Sequence, residues 1–376
     1  MLRMRTQHFR LLDGLRGVAA IAVVVYHFGG RSDLGALMPH GYLAVDFFFA
    51  LSGLVICHAY RQRLRDQMTV VQFLARRVIR LWPMIIPGTL FAAAIEFWRP
   101  GNAPGHLVDV LRSVVLGSLV LPYPFPTSLE QTIFPLNGPV WSLFFELFAS
   151  VVFVVIARRA KLFWAVPVLI AAGLTGLCWS VTATGTVDSG PYVTDWIGGF
   201  ARVTYSFFTG VALVSVRRYV PTASAWVYAV ALVAVLMTPI GTSSVNSYFE
   251  AAVVFVVFPL IVASAANYDP APLLARVCDG LGEISYPLYT LHYPIVRAIC
   301  FAMNRFTVPL PGQVAICVAT IGGTYVLSVL VSRLYDRPVR LYLTRRLDAA
   351  RPGPATSEQS TFTSPLGTSL PLNEVT

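Results

Sequence analysis

At 376 residues, with 56% apolar and only 12% charged side chains, the chain falls far below the roughly 25% charge of a soluble domain and reads as a polytopic membrane protein. The formal net charge of +10 does not mark a nucleic-acid binder, because the basic residues alternate with apolar segments as membrane topology requires. Five cysteines without CxxC or Cys/His spacing support neither a disulfide framework nor a metal site.

Apolar segments lie near 15–29, 42–58, 83–98, 107–121, 139–157, 162–181, 197–215, 225–240, 248–266, 284–303 and 312–333. Basic residues gather in alternate connections, at 3–10, 61–80, 158–161, 217–218, 276 and 333–351, which places those connections in the cytoplasm. The alternation holds only if 107–121, with His106, Asp109 and Arg112 in or beside it, does not cross. The expected fold class is therefore all-α: a polytopic transmembrane helix bundle of about ten spans plus one re-entrant or interfacial helix, with both termini cytoplasmic. Arg3, Arg5 and Arg10 before an apolar run imitate a secretory signal, but Arg16, Tyr26 and His27 fit cleavage poorly and the segment reads as a retained span. Pro122 to Pro139 is expected as an ordered external loop. The membrane domain is expected over 1–346 and a disordered cytoplasmic tail over 347–376, where Ser, Thr, Pro and Gly replace periodicity.

The first span carries Arg16 at one end and His27 at the other. Eleven helical steps return them to nearly the same face, ~16 Å apart along the axis. Two readings stay open for this pair: snorkelling to the interfaces, or a functional site. Asp46, at the outer end of the second span, either orients His27 or rests at the interface. Arg77 and Arg80 share a helical face in a basic run that ends at Pro83. Such a run anchors lipid headgroups or grips phosphate through bidentate guanidinium pairs.

Glu146 lies about two turns inside its span with Ser142 one turn away on the same face, and a carboxylate at that depth calls for a partner or a water-filled cavity. In 281–295 two prolines, Pro287 and Pro294, are expected to break the helix around His292, while Tyr286, Tyr289 and Tyr293 form a stripe. His8 and Asp13 match a His-x4-Asp acyltransferase pattern, here read as chance.

Several blocks in order resemble one family. They are Leu12-Asp13-Gly14-Leu15-Arg16-Gly17 through His27, Gly41 to Gly53, Arg77-x-x-Arg80, Val140-Trp141-Ser142-Leu143 with Glu146, and Ile284-Ser285-Tyr286 through His292 to Pro294. The chain is similar to the acyltransferase family 3 integral membrane acyltransferases, which O-acylate bacterial surface polysaccharides, nodulation factors and some macrolides. The resemblance covers about residues 8–345 and implies that Arg16 and His27 are essential. It further implies that acyl-CoA, often acetyl-CoA, enters from the cytoplasm, and that a carbohydrate or glycolipid hydroxyl is acylated near the far side of the bacterial inner membrane. Asp336-Arg337-Pro338 departs from the family's Glu before Arg-Pro, and the soluble hydrolase-like domain fused to some relatives is not expected.

On this reading Arg16, Arg77 and Arg80 hold the cofactor's phosphates, and His27 is the catalytic base or transient acyl carrier. Glu146, or else Asp46, orients His27, while Trp141, Ser142, Tyr289 and His292 are the candidate substrate-binding residues. The rival classes are a lipid or small-molecule transporter, which also needs intramembrane charges, and a membrane-bound O-acyltransferase of the other large class, whose nearest candidate Asn is Asn137.

Overall fold

The structure is a computed structural model that describes residues 8–35, 37–97, 105–159 and 161–349. The chain folds as helices: α1 (Arg10–Gly29), α2 (Ala44–Asp66), α3 (Val70–Phe97), α4 (His106–Ser118), α5 (Val140–Arg158), α6 (Leu162–Thr184), α7 (Trp196–Val216), α8 (Ala225–Met237), α9 (Ser243–Ala252), α10 (Phe258–Ala265), α11 (Pro272–Met303), α12 (Leu310–Val331) and α13 (Arg337–Ala349). Among the described residues the one β feature is an isolated bridge between Thr132 and Tyr192. The expected all-α bundle is therefore the fold observed.

Among the described residues, eight helical segments are long and apolar enough to cross a membrane. The other two crossings of the expected ten fall on α8, which has only 13 residues, and on α11, which carries Arg276, Asp279, Glu283 and Arg297. The short, amphipathic α4 occupies the segment expected not to cross. Its Asp109 accepts hydrogen bonds from Tyr123 Oη at 2.9 Å and from Ser128 N and Oγ, both at 2.8 Å. Those bonds, the Ser128 N–H foremost, hold the Asp109 carboxyl below the usual carboxylate range and pin the proline-rich loop. The expected tail lies outside the described residues from 350 onward; residues 347–349 still belong to α13.

Proline shapes several helices without ending them. Contrary to expectation, α11 runs unbroken through Pro287 and Pro294. Pro294 has no N–H to offer the carbonyl four residues back, and Asn137 Nδ2 donates to that freed Thr290 oxygen at 2.9 Å. A π-helical turn at Val253–Val257 joins α9 to α10, and another at Ser332–Asp336 joins α12 to α13. Each lies just before a proline, Pro259 or Pro338, whose ring crowds the preceding turn. Asp336 is thus buried in a helical turn, not a loop, and pairs with Arg340 at 2.7 Å.

Two close helix contacts set the frame. α1 and α11 run side by side in the same direction, and a Cβ on Gly17 would lie 2.6 Å from Leu281 Cβ, so only glycine permits the approach. α2 and α7 cross at Gly53 and Gly210, where an added Cβ would fall 1.9 Å from Phe207 O and Ala50 O respectively. Beside that crossing Arg202 is fully buried. It reaches Asp46 Oδ2 at 2.7 Å and Asp188 Oδ1 at 3.2 Å, and donates to Tyr42 O and Ser189 O. Removing one member of a buried ion pair costs about 3–5 kcal/mol because the other charge is left unpaired. Arg202→Ala is therefore expected to lower the thermal unfolding midpoint in detergent sharply; an unchanged midpoint would show that the pair carries no stability.

Candidate active site

The polar residues that line up along α1 and α11 form a path with a cavity at each end. At the N-terminal end of α1 a cavity of about 690 Å³ is lined by five arginines, Arg16, Arg76, Arg77, Arg80 and Arg340, with Asp13, Asp279 and Glu283 among them. Arg16 is fixed by Asp13 at 2.8 Å, Ser285 Oγ at 2.9 Å and Gly282 O at 3.0 Å. Arg76 pairs with Asp348 and Arg340 with Asp336. Arg80 stacks loosely over Tyr286, 6.0 Å from the ring centroid, and among the described residues it has no carboxylate within salt-bridge distance. His8 and Asp13, whose spacing reads as chance, do meet at 3.0 Å on the rim of this cavity.

This cavity adjoins a smaller one, a neck of about 170 Å³, which shares Arg16, Arg77 and Arg80 with it and is further lined by Phe48, Ser142, Glu146 and Tyr289. Glu146 accepts from Arg77 Nη2 and from Ser52 Oγ at 2.6 Å. Ser142 Oγ and Tyr289 Oη share a hydrogen bond of 2.8 Å that fixes both walls.

Beyond Tyr289 lie two imidazoles. The His292 ring is 5.9 Å from Tyr289 and 5.3 Å from His27, centroid to centroid. His27 also packs against Tyr26 and Tyr293, each 5.0 Å away. His292 is fully buried, its Nδ1 lies 3.0 Å from Leu288 O, and its Nε2 is buried without a hydrogen-bond partner among the described residues. A carbonyl only accepts, so Nδ1 carries the proton and Nε2 presents a lone pair.

One residue layer further on, at the C-terminal end of α1, a second cavity of about 790 Å³ is lined by Arg31, Glu96, Glu130 and Arg297, with Phe91 and Phe301 on its apolar side. Arg31 donates to Glu130 Oε1 at 2.9 Å and to Tyr293 Oη at 2.8 Å, and that hydroxyl in turn donates to Glu130. Arg297 bridges Glu130, at 3.2 Å, and Glu96. Burial works to raise the Glu130 carboxyl, yet Arg297 and Arg31 hold it below the usual range.

The structure therefore brings Arg16, Arg77, Arg80, Ser142, Tyr289, His292 and His27 onto one path. It does not bring Asp46 or Glu146 to His27. Asp46 sits on the face of α2 that meets α7, where a full guanidinium charge engages it, and Glu146 is engaged by Arg77 in the same way. Trp141 packs against Arg202, 5.3 Å from its guanidinium, and against Phe49 and Phe145. It stands behind the neck and does not line it. Arg31, Glu96, Glu130 and Arg297 escape the sequence reading as site residues. Arg297 carried a usable signal, an arginine within an apolar span; Glu130, in a loop, carried none.

An all-α membrane bundle with an arginine-lined cavity toward one end of α1, a second polar cavity toward the other, and the adjacent imidazoles of His27 and His292 at positions between them along α1 and α11 is consistent with an integral membrane enzyme. The family described as "Acyltransferase domain", acyltransferase family 3, matches residues 9–329, and the chain belongs to it. The chain is similar to the peptidoglycan O-acetyltransferase OatA of Listeria monocytogenes, 24% identical over 367 residues that cover 88% of this chain and 55% of the relative. It spans only about half of that protein's length. Acyltransferase MdmB of Streptomyces mycarofaciens is 25% identical over 397 residues, covering 94% of this chain and 97% of the relative. Protein 2 in picA locus of Rhizobium radiobacter is 37% identical over 170 residues, 42% of this chain and 86% of the relative. No solved structure matches significantly. The protein is a multi-pass membrane protein of an acyltransferase family.

Proposed function

We infer that the protein transfers an acyl group, acetyl foremost, from acyl-CoA to a hydroxyl of a carbohydrate or glycolipid at the bacterial inner membrane. The observation that carries this reading is the arginine-lined cavity narrowing through the Ser142–Tyr289 neck toward His292 and His27. A phosphate-rich donor suits a cavity lined by five arginines, of which Arg80 has no carboxylate partner among the described residues, and an extended arm suits the neck; in the second cavity both arginines, Arg31 and Arg297, are paired with Glu130 and Glu96. That balanced set, with apolar Phe91 and Phe301 beside it, suits a hydroxyl-rich acceptor. By the basic-residue alternation the arginine cavity faces the cytoplasm, and both termini lie there too.

Arg16, Arg77 and Arg80 hold phosphate oxygens of the donor, with Arg80 the one not already committed to a carboxylate. His27 takes the proton of the acceptor hydroxyl as its oxygen attacks the thioester carbonyl. The new C–O bond forms, the C–S bond breaks, and the proton ends on the sulfur of released CoA. Glu146 acts on the donor side by orienting Arg77. The peptidoglycan named for the Listeria relative supports a glycan acceptor. The near full-length match to an enzyme named only as an acyltransferase keeps a small-molecule hydroxyl, such as that of a macrolide, as the second reading. A transporter leaves acyl-CoA intact, so consumption of labelled acetyl-CoA by membranes held without a gradient separates the classes.

His27→Ala is expected to lower transfer from labelled acetyl-CoA by at least about 10²-fold at normal membrane levels; a variant with full activity sinks the mechanism. Arg80→Ala, which breaks no ion pair, is expected to raise the KM for acetyl-CoA about 10- to 100-fold, the worth of one charge-assisted hydrogen bond. An unchanged KM there and in Arg77→Ala removes the phosphate assignment. Alkaline phosphatase fused after Asp188 is expected to be active, and after Val220 inactive; the reverse would invert the orientation.

A further inference from the structure

His292 has three features that packing alone does not explain. It is fully buried, its Nδ1–H is directed to Leu288 O, and its Nε2 has no hydrogen-bond partner among the described residues. A buried polar atom left without a partner is destabilising, and a helix interior offers many less costly residues than histidine. The ring lies between two others: Tyr289, which closes the neck of the arginine cavity, and His27, which lies toward the second cavity. Each substrate thus has an imidazole on its own side of the contact.

We propose that His292 is a proton carrier in the transfer, receiving at Nε2 the proton that His27 takes from the acceptor and delivering it to the sulfur that leaves the donor. The proposal rests on the acyl-CoA reading above and extends it. A second base on the donor side gives the proton a route to the leaving sulfur when hydroxyl and thioester arrive from opposite cavities. The balance is complete within the site. The acceptor O–H proton passes to His27 as the C–O bond forms. It then passes through one bridging water to the Nε2 lone pair of His292, whose ring centroid lies 5.3 Å from that of His27 with no direct hydrogen bond between them among the described residues. The C–S bond breaks with its electron pair on sulfur, and His292 protonates that thiolate and returns to its neutral, Nδ1–H form. No oxidant, metal or further reactant enters, and Leu288 O, by holding the Nδ1 proton in place, fixes which nitrogen does the work.

The test uses the full chain in membrane vesicles that retain their own envelope glycans, with labelled acetyl-CoA as donor and thiol release and label transfer as readouts. His292→Gln keeps a polar side chain of similar reach but accepts no proton at this position. It is expected to lower the maximal rate about 10²- to 10³-fold while the KM for acetyl-CoA stays within about threefold. His292→Ala opens a space the size of the ring, and added imidazole is expected to restore part of its rate. A merely structural histidine predicts otherwise: His292→Gln that keeps more than about a third of the wild-type rate, or loses it wholly through KM, overturns the proposal. Wild-type vesicles that release no thiol would instead remove the donor assignment, a failure distinct from that of His292 alone.

Discussion

The close approach of α1 to α11 governs the rest of the molecule. Gly14 and Gly17 leave no room for a side chain against Cys278 and Leu281, and because the two helices run in the same direction their registers stay matched along the path. Arg16 thereby meets Ser285 and Gly282, and eleven residues on, His27 meets His292 and Tyr293. A larger residue at either glycine would push the helices apart and separate both pairs at once. Packing here is inseparable from the site, since the glycines near one end determine which rings face each other at the other.

The second constraint is that charge inside a bundle needs a partner. The structure sorts its buried ions into two kinds. Arg202 with Asp46 and Asp188 closes on itself, with backbone carbonyls taking the remaining donors, and it locks α2, α7 and the loop before α7. Four of the five cations of the arginine cavity are also paired with carboxylates, but they line open volume, and Arg80 has no such partner among the described residues. A satisfied, sealed cluster gives rigidity; a cluster bordering a cavity has donors left for a ligand.

This distinction explains what the sequence could and could not reveal. Apolar length and alternating basic loops pointed to the all-α bundle, because both signals are local, and α4 is the short helix in the segment expected not to cross. Arg16, Arg77, Arg80, Ser142, Tyr289 and His292, which the structure lines up along one path, stood out as candidates because a polar residue in an apolar span has few explanations. Asp46 looked no different from them. Its partner Arg202 lies 156 residues away, and helical periodicity reports the face a residue occupies but not the neighbour that face meets. The same ignorance set Glu146 beside His27, when a guanidinium across the neck holds it. The second cavity stayed hidden because half of its ion network, Arg31 and Glu130, comes from connections, where charge is ordinary.

The three volumes bear on how a donor that stays on one side serves an acceptor on the other. The arginine cavity and the second cavity are each several times larger than the neck between them, about 690 and 790 Å³ against about 170 Å³. A nucleotide fits the first and not the neck, so in the proposed reaction only the acyl-bearing arm passes Ser142 and Tyr289. The bundle then needs no alternating conformations to move an acyl group outward, because the group changes carriers at the histidines. In the proposed reaction, an acyl arm filling the neck would exclude water from it and so protect the thioester from hydrolysis. Widening it at Tyr289 would break the hydrogen bond to Ser142 that fixes both walls, loosening the geometry and admitting water together.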